Sequence, residues 1–387
     1  MTRVNRRRFV QLGGLGATGL GLAPLTANSQ QSTRTASAAD GAPVKLTSDG
    51  LGLSPAQYAD LLTTLAGRTS SDSYSLGGVV EELEAQFARV LGKEQAMFMP
   101  TGTLANHLAV RALAGGPSRV IVQNDSHLYQ DEGDCAQTLS GLTLMPLGAG
   151  RATFTADEVQ RILDETRNGR VLSRVSVISI ETPVRRRVGE RFDPAEIEKI
   201  VTLARRNDIK LHLDGARLFL QSAYTGESVA AMARPFDTVY VSLYKYFNAA
   251  SGAILAGPRE VLADLHHVRR MFGGGLAAVW PFAAVALHYL PGFVERFTAA
   301  VTTSEDVIRN LSRQEHLAIG RVPSGTNLFR VRLLSGDAAA FQKRIANRGV
   351  ILSAPQRDAT FLIAVNETIN RTSPAELTDA FVGALNG

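Results

Sequence analysis

A single cysteine, Cys135, stands in a chain of 387 residues, which excludes an internal disulfide and any fold held together by a disulfide framework. The chain also lacks the run of about 20 apolar residues that a membrane-spanning helix requires. Metal-ligand spacings are missing too. His266-His267 and Asp131-Glu132 do not match the separations of known metal sites and read as surface or helix residues. Acidic residues are absent from the first 39 positions, which carry Arg3, Arg6, Arg7, Arg8 and Arg34. These five account for the whole formal charge of +5, so the remaining lysines and arginines balance the 36 acids. A neutral body argues against nucleic acid as a partner.

What the first residues do contain is distinctive. Arg6-Arg7-Arg8-Phe9-Val10 resembles a twin-arginine export signal. A short, glycine-rich apolar stretch follows, Leu12 to Ala27, too weak for a stable membrane span. Small residues near Ala27 and Ala38 offer cleavage sites. Residues 1–43 are therefore expected to be a signal and linker, and the mature protein periplasmic or otherwise extracytoplasmic. Gly14-Leu15-Gly16-Ala17-Thr18-Gly19 matches G-x-G-x-x-G, but no strand precedes it, and it is set aside as a chance match.

From about residue 55, strand-like and helix-like segments alternate. β-rich runs at 96–99, 119–122, 142–145, 174–180, 210–214, 238–242 and 253–256 are separated by helical patterns such as 79–91, 104–114, 156–166 and 194–206. Alternation of this kind predicts an α/β fold: a mostly parallel sheet with helices on both faces. Gly273-Gly274-Gly275 marks a sharp loop, and long helical segments are expected over 277–311. Residues 312–387 read as a small C-terminal α+β domain, and 44–311 as an N-terminal arm and large domain.

The chemistry sits where predicted strands end, the edge at which such sheets bind ligands. Asp214 ends Lys210-Leu211-His212-Leu213-Asp214, a buried strand. A carboxylate there needs a cation, and a pyridinium nitrogen would serve. The alternative is a helix cap. Lys245 follows the next strand, and at a site that lowers its pKa it could form an imine. Thr101-Gly102-Thr103 joins a strand to a helix start, where free N–H groups and hydroxyls suit a phosphate; plain capping by Thr is the other reading. Ser242 could add a hydroxyl. His127, after Asn124-Asp125-Ser126, could stack on a cofactor ring and exchange protons, or simply be structural. Ser242-Leu243-Tyr244-Lys245 also fits S-x-x-K, but the companion S-D-N and K-T-G motifs of β-lactamase-type enzymes are missing.

Together these residues resemble the threonine aldolase and β-eliminating lyase family of fold-type-I pyridoxal-phosphate enzymes. The likeness runs over about residues 45–385. It rests on the run Leu211 to Phe219 and on the ordered set Thr101–Thr103, Asp125–His127, Asp214–Arg217 and Ser242–Lys245. The resemblance implies pyridoxal 5'-phosphate as cofactor, with Lys245 as its Schiff-base lysine. Asp214 would pair with the ring nitrogen, and Gly102 and Thr103 would hold the phosphate. His127 would stack on the ring, and Arg217 would lie near the phenolic oxygen and the substrate carboxylate. Ser48 would contact the substrate. Tyr74 would reach the site of a neighbouring subunit, which implies a homodimer or homotetramer with shared active sites. The expected reaction is retro-aldol cleavage of a small β-hydroxy-α-amino acid. β-Elimination from another amino acid, or an exported pyridoxal-phosphate or amino-acid binding protein without catalysis, are the alternatives.

The chain departs from the family pattern in three places. The usual Glu-Asn-Thr-His-Asn is Glu181-Thr182-Pro183-Val184-Arg185, so an active-site histidine is replaced by Val184. Leu276-Ala277-Ala278 replaces a Met-Arg-Gln after the triple glycine. No arginine stands at 361–363 to clamp the substrate carboxylate. Arg185, Arg186, Arg330 and Arg357 are candidate substitutes, and Arg185 is the expected substrate-binding residue.

Overall fold

The computed structural model describes residues 41–171 and 173–385; the arginine-rich start and the G-x-G-x-x-G match lie outside them. The chain enters as an arm, β1 (Val44–Lys45), then a helix Pro55–Ala66. Ser54 starts that helix with a capping box, exchanging hydrogen bonds with Gln57. Seven strands follow: β2 (Gln95–Met99), β3 (Arg119–Gln123), β4 (Thr143–Leu147), β5 (Val175–Glu181), β6 (Lys210–Asp214), β7 (Thr238–Ser242) and β8 (Ala253–Gly257). They form one sheet in the order β2-β8-β7-β6-β5-β3-β4. β8 is antiparallel to both its neighbours, and the pairs from β7 to β4 are all parallel. The predicted α/β, mostly parallel architecture is therefore the observed one.

Both faces are covered, which is why these strands are nearly all apolar. In β2, Ala96 and Phe98 pack with Val79, Leu83 and Phe87 of the helix Gly78–Leu91. Met97 and Met99 turn the other way, toward Ala105 and Leu108 of the helix Gly102–Ala114. The period-two alternation of a strand puts a helix on each side.

The helical pattern expected over 277–311 is two helices, Trp280–Tyr289 and Phe293–Leu311. Pro291 cannot continue the first, and Gly292 takes a left-handed backbone (φ 65°) between them. The C-terminal part builds a second sheet from β9 (Leu317–Arg321), β10 (Leu328–Leu333) and β12 (Thr360–Ala364), in the order β12-β10-β9 and all antiparallel. β11 (Val350–Ile351) pairs in parallel with the arm strand β1. The amide of Asn366 also donates to the carbonyls of Lys45 and Ser48, each at 2.7 Å. The arm is thus sewn to the C-terminal region, and residues 41–385 lie in one compact unit.

Candidate active site

The carboxyl ends of β3, β5, β6 and β7 open onto a cavity of about 1400 Å³. Connections leave β3 toward β4 on one side and β5 toward β7 on the other. The cavity thus lies at the reversal of strand order, where open α/β sheets bind ligands. Register sets its floor: Glu181 lies opposite Asp214, and Asp214 opposite Tyr240.

Asp214 is buried. Its carboxylate accepts from the Asn106 amide at 2.8 Å and from the Ala216 backbone N–H at 3.1 Å. No lysine, arginine or histidine forms an ion pair with it among the described residues. Such a carboxylate is costly unless a cation meets it. Lys245 shares the cavity. Its amine donates to the Tyr244 hydroxyl at 3.2 Å and lies 4.5 Å from that ring's centre. Burial, then the nearby Arg217, pushes the Lys245 pKa below its ordinary value. The direction favours a neutral, nucleophilic amine.

Arg217 is fixed by Asp49 of the arm: its Nε and Nη2 both reach Asp49 Oδ2 at 2.8 Å. Asp49 also accepts from the Asn327 amide at 2.9 Å. The arm reaches this depth because Gly50 has no side chain. A Cβ there would fall 2.3 Å from the Lys245 carbonyl oxygen. Ser48 lines the cavity beside it.

His127 also faces the cavity. Its backbone N–H donates to Glu181 at 2.6 Å, and its Nδ1 lies 2.9 Å from Glu132. The hydrogen bond to Glu132 raises its pKa, while burial and then Asp214 raise that of Glu181. Glu132 overturns the expectation of a surface residue: its side chain is fully buried. Two donors, His127 and the Asn106 amide, make that burial tolerable. Asn106 and Asp49 belong to the site as well and carried no motif in the sequence, while Glu181 figured there only as the first residue of the altered family segment.

Thr101, Gly102, Thr103 and Ser242 adjoin the cavity rather than line it. Thr101 caps the helix Gly102–Ala114 through Leu104 N–H. The Gly102 backbone packs so close to Tyr240 that a Cβ would lie 2.1 Å from the phenol oxygen. The Ser242 hydroxyl is buried without a hydrogen-bond partner. Tyr74 stands apart, 43% exposed, with the Arg270 guanidinium 4.9 Å over its ring. It does not line the cavity of its own chain. Of the four candidate substitute arginines, Arg185 and Arg186 line the cavity and Arg330 and Arg357 do not. Arg186 is engaged by Asp131 at 2.5 and 3.0 Å. Arg185 approaches Asp131 only to 3.9 Å, so its guanidinium is the less committed.

Residues 65–333 match the model of the beta-eliminating lyase family. The chain belongs to that family. Among curated relatives, a low-specificity L-threonine aldolase of Candida albicans is 30% identical over 53% of this chain, and the match spans 55% of that enzyme. The low specificity L-threonine aldolase of Escherichia coli O157:H7 is 26% identical over 76% of this chain and 87% of its own length. A Listeria monocytogenes crystal structure assigned as an L-allo-threonine aldolase superposes with a TM-score of 0.74 at 28% identity, covering 88% of this chain and 95% of that one. Within this family member, Val184 is fully buried, and Leu362, not an arginine, lines the cavity from β12.

Proposed function

We propose that the chain is a pyridoxal-phosphate-dependent carbon–carbon lyase. It would cleave a β-hydroxy-α-amino acid to glycine and an aldehyde. One observation carries the reading: a buried carboxylate with no ion-pair partner among the described residues, Asp214, shares a cavity with a lysine of lowered pKa, Lys245. The ring nitrogen of the cofactor fits the first and its carbonyl carbon the second. The buried Ser242 hydroxyl, which makes no hydrogen bond of good geometry among the described residues, and the N–H groups at the start of the helix Gly102–Ala114 fit its phosphate. When bound, the cofactor supplies an electron sink for a carbanion at the substrate Cα.

The protein's own residues do the rest. Asp214 would hold the ring nitrogen in its charged form. Arg217, held by Asp49, orients the substrate. His127 offers Nε2 as a base for the β-hydroxyl proton, since Nδ1 is engaged by Glu132. Arg185 grips the substrate carboxylate in place of the missing arginine, with Ser48 beside it. The apolar Leu362 where a clamp is expected favours one rival: β-elimination, because the carboxylate grip decides which Cα bond breaks. L- and D-threonine, serine, phenylserine and cysteine are the substrates to screen. Glycine and aldehyde support the proposal, while ammonia and keto acid without glycine would replace aldol cleavage by elimination.

Three wider proposals accompany it. Tyr74, exposed beside Arg270, completes the site of a second subunit in a homodimer or homotetramer. The residues from 312 onward, with their own sheet β12-β10-β9, serve as a small C-terminal subdomain within the one compact unit. The Arg6-Arg7-Arg8 run directs export of the folded protein by the twin-arginine route to the periplasm.

A further inference from the structure

Six side chains at and behind the cavity floor share one hydrogen-bond chain. Asn106, fully buried, donates through its single amide nitrogen to Asp214 Oδ2 at 2.8 Å and to Glu132 Oε1 at 2.9 Å. The two amide hydrogens thus serve two different carboxylates. Its Oδ1 lies 2.9 Å from His212 Nε2, and His212 Nδ1 lies 2.8 Å from the Thr238 hydroxyl. An amide oxygen only accepts, so His212 carries its proton on Nε2 and receives the threonine proton on Nδ1. Burial keeps that imidazole neutral, with its pKa lowered to about 4. The amide of Asn106 therefore has one orientation. At the far end, Glu132 accepts at 2.9 Å from His127 Nδ1, which leaves His127 Nε2 as the free nitrogen.

We propose that Glu132 is a positioning residue for His127, and that Asn106 couples the proton on His127 to the cation held by Asp214. The second half rests on the cofactor reading above. His127 is faced by Glu132 and Asp131 from its own loop, by Glu181 from the end of β5 and by Asp214 from the end of β6. Arg185 and Arg186 approach Asp131 from the turn after β5, and Lys245 and Arg217 stand across the cavity. Glu132, Asp214 and Glu181 each favour the protonated imidazole. Pairing of Asp214 with a cationic ring nitrogen would offset one of these three charges. His127 then releases its Nε2 proton to water and becomes a neutral base. Linkage makes this reciprocal: the affinity for the cationic ring rises as His127 deprotonates.

Imidazole NMR of the cofactor-free protein, with the His127 signal assigned by its loss in His127→Gln, tests the first half. Glu132→Gln should shift the titration midpoint of His127 downward and cut kcat about tenfold, part of the value of a positioned base, with KM nearly unchanged. Glu132→Asp should restore part of both. An unchanged midpoint in a folded Glu132→Gln protein overturns the assignment, and chemical-shift dispersion establishes folding. Adding pyridoxal phosphate to wild type should move the midpoint downward, and Asn106→Leu should shrink that movement to what the direct field of Asp214 alone supplies; an undiminished movement in that variant would overturn the role of Asn106. If the cofactor binds and the midpoint stays, the coupling is wrong. If no cofactor binds, the proposed function fails, while the cofactor-free comparison still decides the role of Glu132.

Discussion

Asn106→Leu removes a buried amide, keeps its branched shape at a somewhat larger volume and leaves no room for water to substitute. Wild-type Asn106 makes two hydrogen bonds to carboxylates and one to a neutral imidazole. Bonds to charged groups contribute about 1.5–3 kcal/mol each, and a neutral one about 1 kcal/mol. Summed, the loss is roughly 4–7 kcal/mol. Neighbouring terms are not additive, and a carboxyl can protonate instead of remaining bare, so about 3–5 kcal/mol is expected near pH 8. This is a large share of a typical domain stability of about 5–15 kcal/mol.

The pH dependence carries the sign. Without the amide, the pKa of Glu132, already raised by burial, rises further. A carboxyl whose folded pKa exceeds its unfolded value contributes stability at low pH that is lost as pH rises through the folded value. The variant should therefore suffer more at pH 8 than at pH 5. Urea unfolding of the cofactor-free protein, followed by Trp280 fluorescence, reads this out. With a slope of about 3 kcal/mol per molar, the midpoint should fall by about 1 M or more at pH 8. A fall under about 0.3 M at both pH values would refute the reasoning.

Other predictions concern separate parts of the molecule. Glu84 accepts from Phe98 N–H, and burial pushes its pKa to about 7. It therefore contributes stability at acid pH that is lost between its unfolded value and about 7. Glu84→Gln should raise Tm at pH 8 by more than at pH 5, and equal shifts would remove the explanation. Gly102→Ala forces Tyr240 to move and should destabilise by about 1–3 kcal/mol, visible in thermal melts; adding Tyr240→Phe should recover part of the loss. Arg217→Gln removes one cause of the lowered Lys245 pKa. Amine labelling of Lys245 near neutral pH should slow in this variant, and faster labelling would show that Arg217 acts otherwise.

The parts of the fold legible in the sequence were those with a strong local signal. The strands at 210–214 and 238–242 are unbroken buried runs, and Pro194 and Pro374 mark helix starts where a proline is tolerated. The arm helix Pro55–Ala66 escaped despite its capping box at Ser54 and Gln57. β9 is short, contains Gly320 and ends on an exposed arginine, so its pattern is faint. Asp214 and Lys245 could be read because each ends or follows such a strand. Glu132 could not: two adjacent acids in a loop look solvated, and its donor Asn106 is 26 residues away. The available signal was Asn106 itself, a polar residue on the apolar face formed by Ala105, Leu108 and Ala109. Asp49 was hidden for the same reason, since Arg217 and Asn327 reach it across 168 and 278 residues.

Borohydride reduction of the purified protein, followed by peptide mass analysis, tests the central claim most directly. A pyridoxyl adduct on Lys245, lost in Lys245→Ala and weakened in Asp214→Asn, is the predicted result. An adduct confined to another lysine, or none after incubation with pyridoxal phosphate, would contradict it.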